Sequence, residues 1–146
     1  FIFNNYNGGF MATAGDSYEV ELKEAHLNWG TYRHTNTRDL RPGEGYIPIP
    51  AHIARQLNIY NIRNQGLGHN LFNVSSSDQF IQNELLKAQG GTDRTSIYAK
   101  QFSIEKNLSR IGEWYAYTNA NIGDRVRVEW LSETDILITL ISQQSV

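Results

Sequence analysis

The sequence predicts a mainly β fold with two short helices, built as a small barrel or closed sheet. Three observations carry this prediction. Short runs that alternate apolar and polar residues recur along the chain, which is the period of half-buried strands. Helical spacing appears in only two brief segments. Strands dominate without the regular strand–helix alternation of a parallel α/β sheet, which leaves a barrel as the best architecture. The chain has 146 residues, 40% of them apolar and 12% aromatic, which suits one domain with one core.

The elements follow in order. Residues 1–15 carry Asn-Asn, Gly-Gly and Ala-Gly pairs and read as a linker or N-terminal arm, with the domain spanning 16–146. Ser17-Tyr-Glu-Val-Glu-Leu22 alternates as a half-buried strand. Tyr46-Ile-Pro-Ile-Pro50 is apolar but broken by prolines, so it suits an edge strand and not a central ladder. Pro50 then occupies the first position of a helix over Ala51–Leu57, where its missing N–H costs nothing, and Ile53 and Leu57 share a face. Residues 58–70 read as loop. Leu71–Val74 is a brief strand, Phe80–Lys87 is ambiguous between helix and strand, and Thr95–Phe102 is extended. Ile104–Ile111 is expected as the second helix, with Gly112 as its stop. Trp114-Tyr-Ala-Tyr117 is a β-rich run. Gly123-Asp124 signals a turn, Arg125–Trp130 alternates cleanly, and Asp135–Ile141 closes the chain as a buried strand.

Composition excludes several classes. With no cysteine, disulfides, thiolate metal sites and a cysteine nucleophile are absent, which fits a reducing compartment. No apolar run reaches the roughly 18 residues of a membrane helix, and no secretory leader is visible. The chain starts at Phe1, so a processed product or a piece of a larger protein is expected. The net charge of −2 hides an asymmetry. Residues 1–32 carry −3, residues 33–110 carry +4 and residues 111–146 carry −3. A mildly acidic chain with a basic middle can still bind a polyanion if its bases converge.

Catalytic constellations are weak. His26, His34, His52 and His69 have no helical ligand spacing, so no metal site or other cofactor is expected. Glu21-Leu-Lys23 matches the tail of an acid–x–Lys nuclease pattern, but a partner acid is missing, and Asp16 lies too close along the same segment. Alternating charges on a solvated strand face explain Glu19, Glu21 and Lys23 equally well. No Gly-x-Ser-x-Gly elbow and no phosphate loop occur. A small metal-dependent nuclease is kept as one alternative. A protein- or carbohydrate-binding β-module with Trp114, Tyr115 and Tyr117 as an exposed platform is the other.

Two polar segments stand out. Asn28–Pro42 links two predicted strands and holds three arginines, a histidine, two asparagines, three threonines and two aromatics, with little to bury. Such a loop is costly to order without a partner. Its residue types are those that read bases: Arg to guanine, Asn to adenine, Thr to phosphate or a thymine methyl. A solvated hairpin loop is the plainer reading of the same composition. Lys87–Ser96 links two later strands and offers Lys87, Gln89, Arg94 and Thr95 beside glycines. Together the two suggest arms that clamp a duplex.

At these residues the chain resembles a known family. Leu27-Asn-Trp-Gly30, the Arg-rich stretch, Gly45-Tyr-Ile-Pro-Ile-Pro50, Arg110-Ile-Gly112 and Ile122-Gly-Asp-Arg-Val-Arg-Val-Glu-Trp130 resemble the DNA-recognition domain of certain type II restriction endonucleases. That domain is similar to the plant B-three DNA-binding pseudobarrel. The likeness covers roughly Ser17–Ile141 and is thin between Asn58 and Leu85. It implies a seven-stranded DNA-binding pseudobarrel with two short helices and two arms in the major groove of double-stranded DNA. The N-arm would place Arg33, His34, Thr35, Asn36, Arg38 and Arg41 on the DNA, and the C-arm Lys87, Gln89, Arg94 and Thr95. Asn28, Trp29, Gly30, Tyr46 and Pro48 would brace the N-arm at its base. The resemblance further implies a separate catalytic nuclease domain in the parent protein, no catalysis by this chain alone, sensitivity to base modification as an open property, and a place in the bacterial cytoplasm.

Overall fold

The computed structural model describes residues 11–28, 43–61, 66–91, 93 and 95–143. Among these residues the architecture is a curled, mixed sheet of seven strands with three short helices. The strands are β1 (Ser17–Glu21), β2 (Ile47–Pro48), β3 (Leu71–Ser76), β4 (Glu84–Gln89), β5 (Gln101–Ile104), β6 (Arg125–Trp130) and β7 (Asp135–Ile141). The helices are α1 (Glu24–Leu27), α2 (Ala51–Gln56) and α3 (Arg110–Thr118). The strand order is β1-β6-β7-β3-β4-β5-β2, and all neighbours are antiparallel except β3 and β7.

The curl brings the two ends of this order together. Tyr18 on β1 is buried and its hydroxyl donates to the Pro48 carbonyl oxygen on β2 at 2.9 Å. The two edge strands are thus joined by a side chain and not by a strand ladder. Burial raises the Tyr18 phenol well above its ordinary value, so it stays a donor. Phe72, Phe102 and Trp130, all fully buried, fill the space inside. Phe72 meets each of the other two rings edge-on, at 5.9 and 5.8 Å. Edge-to-face packing is the favourable arrangement for such rings. In β6, Val126, Val128 and Trp130 are buried, while Arg125 and Arg127 face solvent, as period-two alternation requires.

Several expectations hold. β6 and β7 have the expected bounds, and β2 is an edge strand whose prolines need no second partner. Of the ambiguous Phe80–Lys87 segment, Glu84–Lys87 falls in β4, held between β3 and β5, and residues 80–83 form the turn that precedes it. Three corrections follow. The second helix does not run over Ile104–Ile111: β5 ends at Ile104 and the helix begins at Arg110. The expected strand Trp114–Tyr117 lies inside that helix, where Ile111, Trp114 and Tyr115 form one buried face. α1 is a third helix, a single turn in which the Lys23 N–H donates to His26 Nδ1 at 2.9 Å. Part of the segment expected as a linker is also packed. Ala12 lies in the core, and the Gly15 N–H donates to the Trp130 carbonyl at 3.0 Å.

Candidate nucleic-acid interface

Residues 28–46 connect β1 and α1 to β2, and residues 90–100 connect β4 to β5. Because β2 pairs with β5, both connections touch one short ladder. The register is Ile47↔Phe102 and Pro48↔Gln101. The first connection enters β2 at the Ile104 end of β5. The second enters β5 at the Gln101 end, where Gly90 lies across from Lys100. The described ends of the two connections, Tyr46 and Lys100, therefore lie at opposite ends of the ladder, about three residues apart along β5. At ~3.3 Å per residue that is about 10 Å.

The base of the first connection is tightly built. Tyr46 N–H donates to the His26 carbonyl at 3.1 Å, and the His26 and Tyr46 rings meet edge-on at 5.4 Å. The buried Tyr115 hydroxyl donates to the Tyr46 carbonyl at 2.7 Å. Asn28 Nδ2 donates to Glu24 at 2.7 Å. Burial, and then the Lys23 charge, hold the His26 imidazole below its ordinary pKa, so His26 keeps the neutral form that accepts the Lys23 N–H. Gly112 of α3 packs on the Gly43–Gly45 backbone: a methyl group on Gly112 would overlap the Gly43 carbonyl oxygen, and one on Gly45 would meet the His26 carbonyl oxygen at 3.0 Å, whereas Gly43 has open space and a φ of 94°. Pro48 serves as the acceptor for Tyr18. Arg33, His34, Thr35, Asn36, Arg38 and Arg41, with Trp29 and Gly30, lie outside the described residues, as does Arg94.

The second connection is folded on itself. The Asp93 carboxylate accepts from the Thr95 N–H, the Thr95 hydroxyl and the Ser96 N–H at 2.8, 2.7 and 3.0 Å. Asn61 clamps the turn, donating from Nδ2 to the Ser96 carbonyl at 2.7 Å. Lys87 pairs with Glu105 at 3.2 Å, so its ammonium points along the sheet. Gln89 reaches a cleft on the outer face of β4, β5 and β2, with Gln101, Ser103 and Glu44. Lys100, beside Gly90, is exposed and forms no ion pair among the described residues. Sequence reading did not single out Lys100, Gln101, Ser103 or Glu44. The alternation Gln101-Phe-Ser-Ile104 was the available signal for Gln101 and Ser103.

Elsewhere four acidic side chains pair with the arginines of α3 and β6. On β1 and β6, Arg125 pairs with Glu19 at 3.0 Å, and Arg127 lies 3.8 Å from both Glu19 and Glu129. Arg110 pairs with Glu84 at 2.9 Å and Glu113 at 3.1 Å and lies over the Phe80 ring. Glu21 and Lys23 are exposed, and among the described residues no group of three His, Asp or Glu side chains is placed to hold a metal ion. His52 is exposed on α2, while His69 stacks on Tyr60 at 6.0 Å. Of the aromatic platform Trp114, Tyr115 and Tyr117, the first two are buried; Tyr117 is exposed and stacks on Phe80 at 4.5 Å. No described helix is long and apolar enough to cross a membrane.

The fold class is thus a seven-stranded β half-barrel in which two polar connections flank one edge ladder. No family model matches the chain, and neither the curated proteins nor the solved structures hold a match to it. The resemblance drawn above rests on its own quoted residues.

Proposed function

We propose that this chain binds double-stranded DNA sequence-specifically, as the non-catalytic target-recognition domain of a restriction endonuclease acting in the bacterial cytoplasm. A separate nuclease domain of the parent protein would cut. The observation that carries the reading is that the two polar connections join the single β2–β5 ladder at its opposite ends. Arm side chains read base edges, while Lys and Arg hold phosphates. The ion pairs on β1 and β6 favour the β2–β5 side as the DNA face, because their arginines are already engaged.

The test is selection from a randomised duplex pool at near-physiological salt, in unmodified and cytosine-methylated arms. The expected result is an enriched short motif. Its affinity falls with salt at a log–log slope of about −0.9 for each phosphate contacted. A motif enriched in one arm alone identifies a modification-sensitive reader. No binding refutes the proposal, and salt-sensitive binding without enrichment refutes its sequence specificity.

A further inference from the structure

Both ends of α2 are tied to the return leg of the second connection. The Ile49 N–H, just before the helix, donates to the Lys100 carbonyl at 2.8 Å. Just after it, the Ile59 carbonyl accepts from the Ala99 N–H at 3.0 Å, and the Asn61 N–H donates to the Ile97 carbonyl at 2.8 Å. Tyr60 stacks between the His69 and Tyr98 rings, at 6.0 and 5.8 Å, and holds the same two segments together. The helix has six residues and is about 9 Å long, so its side chains stand close to Lys100. Ala54 and Leu57 are buried and Ile53 is half-buried. Ala51, His52, Arg55 and Gln56 are left on the outer face.

The charge of this face has one sign. Residues 45–77 and 94–104, which build it, contain no Asp or Glu, although the chain carries 15 acids. The adjoining Asp93 carboxylate is taken up by the Thr95 and Ser96 donors of its own turn. Of the described arginines, Arg110, Arg125 and Arg127 all face carboxylates, whereas Arg55 forms no ion pair among the described residues. Lys87 is held by Glu105, whereas Lys100 is exposed and also unpaired among the described residues. Two unopposed cations on an acid-free surface favour a polyanion. The surface is continuous with the second connection, so the polyanion in reach is the duplex that the arms hold. Arg and Lys outside the arms meet its phosphates, and such contacts position a protein without reading sequence.

Resting on the DNA-binding reading, we infer that α2 and the return leg of the second connection form a phosphate clamp, in which Arg55 and Lys100 hold the duplex backbone just outside the motif that the arms read. The test uses the motif that the native chain selects, once with about ten random base pairs on each side, roughly one helical turn, and once trimmed to its ends. Arg55→Gln, Lys100→Gln and the double variant, each with native thermal unfolding, are titrated by fluorescence anisotropy across a salt series. One phosphate contact contributes a log–log slope of about −0.9, which is about 8-fold in affinity near 0.1 M salt. On the long duplex each single variant is expected to lose about 8-fold and the double variant about 60-fold, with the slope shallower by about 0.9 and 1.8. On the trimmed duplex the variants are expected to bind within about 2-fold of the native chain, because the flanking phosphates are gone. The motif they select is unchanged. Arg55→Lys keeps the native slope, and Lys106→Gln, an exposed lysine on the turn before α3, serves as the control with no effect. A double variant with the native slope on the long duplex overturns the clamp and leaves α2 to another acidic partner. A loss of equal size on the trimmed duplex, or an altered motif, overturns it as well, because the contacts then lie within the motif. Each of these results leaves DNA binding by the arms intact. Where no motif is enriched, the same slopes are read on a random duplex. A native chain that binds no duplex removes the reading on which the clamp rests.

Discussion

Gly112→Ala reverses the usual effect of replacing a glycine within a helix. Gly112 is the third residue of α3, and in an exposed helix Ala at such a site gains about 1 kcal/mol. Here a methyl group at residue 112 would overlap the Gly43 carbonyl oxygen. It would also stand 2.9 Å from the Gly43 carbonyl carbon and 3.2 Å from the Gly45 nitrogen. All three are backbone atoms, so no rotamer change relieves the overlap, and either α3 or residues 43–45 must move. Overpacking costs about 1–3 kcal/mol, and a backbone overlap belongs at the upper end. Subtracting the propensity gain leaves a net loss of about 2 kcal/mol. For a chain of this length that lowers Tm by about 6 °C. Differential scanning calorimetry or urea unfolding measures it. Ala116→Gly, an exposed change on the same helix, serves as the control and should lose about 1 kcal/mol. A Gly112→Ala chain as stable as the native one, or more so, would refute the packing of α3 on the base of the first connection.

Four further outcomes follow from the same geometry. Tyr115→Phe removes the donor to the Tyr46 carbonyl and should cost about 1–2 kcal/mol in urea unfolding. Tyr18→Phe removes the bond that joins β1 to β2 and should cost about 1 kcal/mol, with faster amide exchange in β2 as its signature. Burial acts to raise the Asp78 carboxyl. Bonds from the Ser76 hydroxyl, the Phe80 N–H and the Trp114 indole N–H outweigh it, so its folded pKa lies below the ordinary value. A depressed carboxyl stabilises above its unfolded pKa of about 3.9 and loses that contribution as pH falls through the folded value. Unfolding free energy followed from about pH 5 to pH 2 should therefore fall less steeply in Asp78→Asn than in the native chain. On the selected DNA site, Arg33→Ala or Arg38→Ala should weaken binding by about 1–3 kcal/mol in anisotropy titrations if the arginine contacts a guanine bidentately.

Legibility in the sequence followed how local the physics was. β6 and β7 were plain because one face of each is buried and the alternation is unbroken. β2 was readable as an edge through its prolines. β4, with the sequence Glu-Leu-Leu-Lys-Ala-Gln, is built largely of helix formers and becomes a strand only because β3 and β5 flank it. α3 was missed for two reasons. Its Trp-Tyr-Ala-Tyr run has the aromatic content of a strand. Gly112 also reads as a stop, although it is there because Gly43 and Gly45 approach the helix. The spacing of Ile111, Trp114 and Tyr115 was the competing signal. The two polar connections were visible as composition, and the pairing of β2 with β5 places them on one ladder. The cleft was invisible because its residues come from three separate segments, Glu44–Tyr46, Gln89 and Gln101–Leu108.

The central claim is that the connections at the two ends of the β2–β5 ladder form one DNA-binding face. Titration of the isotopically labelled chain with its selected duplex, followed residue by residue in amide NMR spectra, tests this most directly. The account predicts that the largest shifts fall on residues 43–46, on 89–91 and on 95–103, while the paired arginines of β6 stay unchanged. Shifts centred on β1, β6 and β7, or no shifts at DNA excess, would contradict it.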